Sequence, residues 1–244
     1  MTQVEQIRKN IQTAKENILS AALAAGRNAE DVSIVVVTKG QPAEVITAAY
    51  AAGAQIIGEN YPNETVGKIE SLGSLPEIEW HMIGHLQTRK ARLVAFHFDM
   101  FHALDSLRLA HKLNLALGEA EKILPVLLQF NVSGEDSKGG WPAWLQPHWH
   151  ELLPEIEQIL ELPNLSVRGL MTMPPLDSDI EQIRPYFRRL RTLRDYLADR
   201  FPGVTFGDLS MGTSSDYRVA VEEGATFVRL GTSIIGPRPP KQIS

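Results

Sequence analysis

Cysteine is absent from all 244 residues, which excludes disulfides, thiolate nucleophiles and zinc–sulfur centres. No tract of lysine and arginine occurs either, and 24 basic against 29 acidic residues leave a net charge of −5. That balance provides no electrostatic footprint for a nucleic-acid backbone or an anionic membrane surface. No apolar stretch approaches bilayer length, and residues 1–9 are of mixed polarity without the apolar core of a secretory leader. A cytoplasmic chain with no nucleic-acid and no membrane partner is therefore expected. Without a secretory setting, the glycosylation-like triplets at Asn63, Asn131 and Asn164 are chance matches. Repeats, low-complexity tracts and long linkers are missing, as are the HExxH, GxSxG, Walker and dinucleotide-loop patterns.

Hydrophobic residues make up 43 % and charged residues 22 %, the balance of a globular protein. Val4, Ile7, Ile11, Ala14, Ile18 and Ala22 recur three or four apart and stop at Gly26, which predicts an amphipathic helix. Downstream, short apolar, β-branched runs at 32–38, 55–58, 79–83, 100–104, 126–132, 166–171, 205–210 and 227–230 read as strands. Between them lie helical patterns at 43–52, 64–72, 88–95, 107–119, 145–160, 180–201 and 215–223. Eight strands alternating with helices predict an α/β chain folded as a single (βα)8 TIM barrel with an extra N-terminal helix, one domain over 1–244. A doubly wound sheet is the alternative. The stretch 139–154 breaks the rhythm: Trp141, Trp144 and Trp149 cluster there among three prolines and two histidines, and read as an aromatic packing patch or lid.

Active sites of such barrels form where strands end at the C-terminal face, so the polar residues closing each apolar run carry the interest. Lys39 closes the first. A lysine there, partly desolvated among positive groups, can attack an aldehyde and form an imine, although most lysines after strands are solvated. At the other end of the chain, Ser210 to Asp216 follow the seventh run, and Gly231-Thr232-Ser233 follow the eighth. Small residues after the last two strands suit a phosphate, each piece alone being equally a turn with a cap. Arg229, inside the last run, needs either a ligand acceptor or an internal ion pair. His81 and His85 lack the glutamate of a metal motif, and Met171, Met173 and Met211 read as packing.

Taken together, Val35-Val36-Val37-Thr38-Lys39, Gly58-Glu59-Asn60-Tyr61, Trp80-His81-Met82-Ile83-Gly84-His85-Leu86-Gln87, Asn131-Val132-Ser133-Gly134-Glu135-Asp136-Ser137-Lys138, Arg168-Gly169-Leu170-Met171-Thr172-Met173 and Leu209-Ser210-Met211-Gly212 resemble the pyridoxal phosphate homeostasis protein family. The resemblance implies the barrel of alanine-racemase type, the pyridoxal-phosphate fold type III without its C-terminal β-domain. It implies pyridoxal 5′-phosphate (PLP) held as a Lys39 aldimine, for sequestration or for delivery to apo PLP-enzymes, by a monomer without established turnover. Asn60 would lie near the ring 3-hydroxyl; Ser210, Gly212, Gly231 and Thr232 would hold the phosphate; Arg229 would face the ring nitrogen. No catalytic residue and no metal ligand are implied. A racemase-like PLP enzyme and a Schiff-base aldolase are the alternatives. After the last run at 227–230 only 231–244 remain, so a racemase's second domain is not expected, and Lys39 lies on an earlier strand than aldolases usually employ.

Overall fold

The computed structural model describes residues 1–73, 75, 77–175 and 179–237. Its strands are β1 (Ser33–Val37), β2 (Ile56–Glu59), β3 (Glu79–Met82), β4 (Met100–Leu104), β5 (Leu124–Asn131), β6 (Trp141–Pro142), β7 (Leu165–Met171), β8 (Asp208–Thr213) and β9 (Phe227–Leu230). The helices are α1 (Gln3–Ala24), α2 (Ala43–Ala51), α3 (Pro62–Leu72), α4 (Ala91–His97), α5 (Leu107–Glu119), α6 (Leu153–Leu160), α7 (Arg184–Arg200), α8 (Tyr217–Glu222) and α9 (Thr232–Ile235). Strands pair in the order β4-β3-β2-β1-β9-β8-β7-β5, and β4 also pairs β5, so an all-parallel sheet closes on itself. Eight strands with helices outside form the α/β barrel the sequence predicts. Two-residue β6 lies outside that count, against the end of β5.

Helix α1 begins with a capping box, Thr2 Oγ1 accepting from Glu5 N–H and Glu5 Oε2 from Thr2 N–H. It ends at Gly26, whose φ of 66° turns the chain away, with Arg27 N–H donating to Ala22 O. Ile7, Ile11, Ala14 and Ile18 are buried on its inner face. The main core lies between barrel and helices, as strands covered on both faces require. A second, smaller apolar cluster of Val35, Val37 and Ile83, with Ile56 and Phe227 against it, fills part of the barrel interior.

Strand β8 departs from expectation in a way that matters for the site. The pattern places its end at Ser210, but the strand continues to Thr213, with a register shift against β9 between those residues. Ser-Met-Gly-Thr looks like a loop because its small residues mimic turn chemistry, whereas β9 supplies a ladder partner, Arg229 lying opposite Thr213. Within 139–154, Trp149 is buried, donates from Nε1 to Ala143 O at 3.0 Å and packs on Tyr196, so this part is core. Asn131 is likewise buried: its amide bonds Glu135 O, Lys138 O and the Ser133 and Gly134 N–H groups, shaping the loop after β5.

Candidate functional site

A cleft of about 780 Å³ opens at the C-terminal ends of the strands. Lys39, Asn60, Arg229, Gly231 and Thr232 line it, with Ile83, His85, Gln129, Ser137, Met171, Met173, Thr213, Ser214 and Ser215. Residues from opposite ends of the chain meet there because β1 pairs β9, Val35 lying level with Arg229. Its size is that of a small-molecule site.

Lys39 stands two residues beyond β1, half-buried. Beneath it, Thr38 is fixed by its neighbours: Thr38 Oγ1 donates to Glu59 Oε1 at 2.7 Å, and Lys68 Nζ reaches both Thr38 O at 3.2 Å and Glu59 Oε1 at 2.7 Å. Glu59 is fully buried; burial pushes its carboxyl up, against the pull of the Lys68 charge and the hydrogen bonds from Lys68 and Thr38. The base of Lys39 is thus tied to β2 and α3.

Asn60 reaches the cleft because Gly84 leaves it room; a Cβ at Gly84 would fall 2.8 Å from Asn60 Cα and O. Its Oδ1 is buried without a hydrogen-bond partner among the described residues, which leaves an unsatisfied acceptor in the cleft wall. At the rim, Ser214 Oγ accepts from Gly231 N–H and Ser233 N–H, both at 3.3 Å, bringing backbone donors and hydroxyls together as an anionic group requires.

Arg229 is 4 % exposed. Its Nη1 donates to Ser210 Oγ at 2.5 Å and its Nη2 to Thr172 O and Met173 Sδ, both at 2.9 Å. None of these partners is a carboxylate; Asp216 acts on it from a distance. Burial brings its guanidinium down to about 10, against the opposing pull of Asp216, so it stays cationic at neutral pH. Of the two readings the sequence left open, a cation facing the cleft fits these contacts better than an internal ion pair.

Ser210 and Gly212 do not line the cleft. Because β8 runs to Thr213, Ser210 lies a layer lower, fully buried, between Arg229 and His102. Gly212 has a φ of 94°, and a Cβ there would come within 2.6 Å of Ala220 Cβ, so it serves the approach of α8. From this part of the chain it is Thr213, Ser214 and Ser215 that line the cleft. The histidines also separate: His85 sits at the rim with Nδ1 2.8 Å from Asp105, and His81 points into the barrel against His102. His102 lies in an apolar run, and only barrel closure shows its partners.

Comparison with known proteins decides what this architecture is. The alanine racemase N-terminal domain model matches residues 3–239. The pyridoxal phosphate homeostasis protein of Vibrio alginolyticus is 40 % identical over 238 residues, 96 % of this chain and 99 % of that protein. Its counterpart in Aquifex aeolicus is 42 % identical over 224 residues, 91 % and 94 % of the two chains. The chain belongs to the pyridoxal phosphate homeostasis protein family. PipY of Synechococcus elongatus, solved without PLP and with PLP bound, superposes on this family member with a TM-score of 0.83 and 33 % identity, over 95 % of this chain and all of PipY. An alanine racemase of Clostridium difficile 630 shares the fold, at a TM-score of 0.69 and 15 % identity, over 97 % of this chain and 57 % of its own. The homeostasis family thus keeps the racemase barrel in a shorter chain.

Proposed function

We propose that this protein binds pyridoxal 5′-phosphate reversibly on Lys39 and serves vitamin B6 homeostasis as a carrier in the cytoplasm, passing the cofactor to apo-enzymes. The observation that carries the reading is the convergence, in one cleft, of Lys39, the unpartnered Asn60 Oδ1, the cationic Arg229 and a rim of backbone N–H groups and hydroxyls. Membership of the family and the PLP-bound structure of PipY support it. When bound, PLP supplies an aldehyde that condenses with amines and a ring that can withdraw electrons.

The residues divide the work by chemistry. Lys39 holds the aldehyde carbon through its amine. Asn60 accepts from the ring hydroxyl. Gly231, Thr232 and the hydroxyls of 213–215 take the phosphate, which accepts only. Arg229 donates toward the ring nitrogen and has no lone pair with which to take a proton from it, which leaves that nitrogen unprotonated and the ring a weak electron sink. Lys39, His85 and Arg229 are the titratable side chains lining the cleft among the described residues, and His85 is engaged with Asp105. That set favours holding the cofactor over the two-sided proton transfer of a racemase.

Purified protein incubated with PLP is expected to show a visible imine band that borohydride bleaches, with the added mass on Lys39; Lys39→Ala loses both. Protein that shows no band and takes no mass under these conditions would refute the cofactor assignment. Incubation with a panel of amino acids is expected to leave their chirality and carboxylates unchanged. Reproducible racemisation or decarboxylation would replace the carrier with an enzyme.

A further inference from the structure

Barrel interiors are ordinarily filled by layers of aliphatic side chains. Here a line of polar groups from four strands crosses that space, bonded end to end. Arg229 Nη1 on β9 donates to Ser210 Oγ on β8 at 2.5 Å. Ser210 Oγ lies 2.9 Å from His102 Nδ1 on β4, and His102 Nε2 lies 3.0 Å from His81 Nδ1 on β3. His81 Nε2 lies 3.3 Å from Glu79 Oε2, whose side chain is 64 % exposed at the floor of the barrel. Ser210, His102, His81 and Arg229 are all buried, and the Phe227 ring meets both imidazoles edge-on.

The two ends, together with the need to give the Ser210 hydroxyl hydrogen an acceptor, set the direction of the bonds between them. A guanidinium only donates and a carboxylate only accepts. Ser210 Oγ accepts from Arg229 and gives its own hydrogen to His102 Nδ1. His102 then carries its hydrogen on Nε2 and gives it to His81 Nδ1, and His81 gives its Nε2 hydrogen to Glu79. Two neutral rings, each with the hydrogen on Nε2, satisfy all four contacts. A second hydrogen on His102 would make Ser210 an acceptor on both sides and strand its hydroxyl hydrogen. Burial first holds the His102 imidazole well below the usual histidine value, and the Arg229 charge acts in the same direction. The remaining charged groups lie at the two ends: Asp208 on β8 with Arg168 beside it at the floor, and Asp216, which acts on Arg229 from above.

We propose that His102, acting through Ser210 and oriented from the floor by His81 and Glu79, is the positioning residue for Arg229. Ser210 stays an acceptor beneath the guanidinium. Together with Thr172 O and Met173 Sδ it occupies three of the arginine's N–H bonds, leaving Nε–H and one Nη1 hydrogen for a ligand in the cleft. The effect on bound cofactor rests on the PLP reading; the direction of the line does not, so the two can fail separately.

Nitrogen-15 NMR of the imidazoles, on histidine-labelled protein stripped of cofactor, tests the direction. His102 is expected as the neutral Nε2–H tautomer at pH 7, untitrated down to acid unfolding. An Nδ1–H or cationic His102 at pH 7 overturns the proposal whether or not PLP binds. A second arm compares His102→Asn, whose amide oxygen replaces Nδ1 as the acceptor for Ser210, with His102→Phe, which has none. Loaded with PLP, His102→Asn is expected to keep the wild-type pH profile of the visible band, and His102→Phe to move its midpoint by about one pH unit. A folded His102→Phe protein with the wild-type profile overturns the positioning role. Wild-type protein that takes up no PLP refutes the cofactor reading and leaves the tautomers to judge the line.

Discussion

Lys68 and Glu59 sit behind Lys39, outside the lining of the cleft, yet they fix the backbone that carries it. Both side chains are nearly or fully buried, their Nζ–Oε1 distance is 2.7 Å, and Glu64 adds a second carboxylate at 2.5 Å. Removing one member of such a pair strands a charge in low dielectric, which costs far more than the pair contributes. Lys68→Met is therefore expected to lower the unfolding free energy by about 3 kcal/mol. The double variant Glu59→Leu with Lys68→Met should recover most of that loss, because it buries no charge at all. Urea midpoints for the two variants check this, and a Lys68→Met protein as stable as wild type would contradict it. Neither residue stood out in the sequence. Lys68 reads there as one more helix lysine, since its burial depends on β2 lying beneath α3.

Between elements, the contact of α7 with the end of α8 is built on two carboxylates, Glu222, which pairs with Arg184 at 2.7 Å, and the more heavily bridged Glu223. Arg184, Arg188 and Arg191 lie on one face of α7 and bridge to Glu223 at 3.2, 2.9 and 3.4 Å. Burial by itself would raise the Glu223 carboxyl; hydrogen bonds from Arg188 and Arg184 and the Arg188 and Arg191 charges outweigh it and leave the group below its ordinary 4.5. A depressed carboxyl favours the native state above the ordinary value, and that share of stability disappears as pH falls through the native value. Glu223→Gln is thus expected to cost about 1–2 kcal/mol at pH 7 and progressively less as the pH falls through the native value of the carboxyl, measured by denaturant unfolding across the acid range. A cost that does not change with pH would assign it to packing. The elements themselves were largely legible: the runs at 100–104 and 227–230 match β4 and β9, and 107–119 matches α5. Where the reading slipped, at the end of β8 and at two-residue β6, the deciding hydrogen bonds come from neighbouring strands, which no local pattern encodes. The same limit explains the site. Lys39, Asn60, Arg229, Gly231 and Thr232 were found because each closes or follows an apolar run or belongs to a family motif, whereas His102 acquires its partners only when β3, β4 and β8 surround one interior.

Across the whole molecule, closure makes the halves depend on each other. β1 pairs β9 at one seam and β4 pairs β5 at the other, so no consecutive group of strands has both edges satisfied by itself. Helix α1 spans the first seam from outside: Arg8 donates to Ala51 O, Asn10 to Ile234 O at 2.7 Å, and Asn17 to the Tyr217 hydroxyl at 2.9 Å. The proposed cofactor site draws on both ends of the chain in the same way, with Lys39 after β1 and Arg229 in β9. Unfolding of the native chain is therefore expected as one transition. Two variants report it, one keeping only Trp80 in β3 and the other only the buried Trp149 of the C-terminal half, with the remaining tryptophans changed to phenylalanine. Their fluorescence midpoints in urea should coincide with the midpoint of far-ultraviolet dichroism for each variant. PLP at a hundredfold excess over its dissociation constant should then raise the unfolding free energy of both by about 2.7 kcal/mol, because ligand bound across the β1–β9 seam is released only when the whole barrel opens. A shift confined to one probe would mean that the halves open separately and that the ligand closes only one of them.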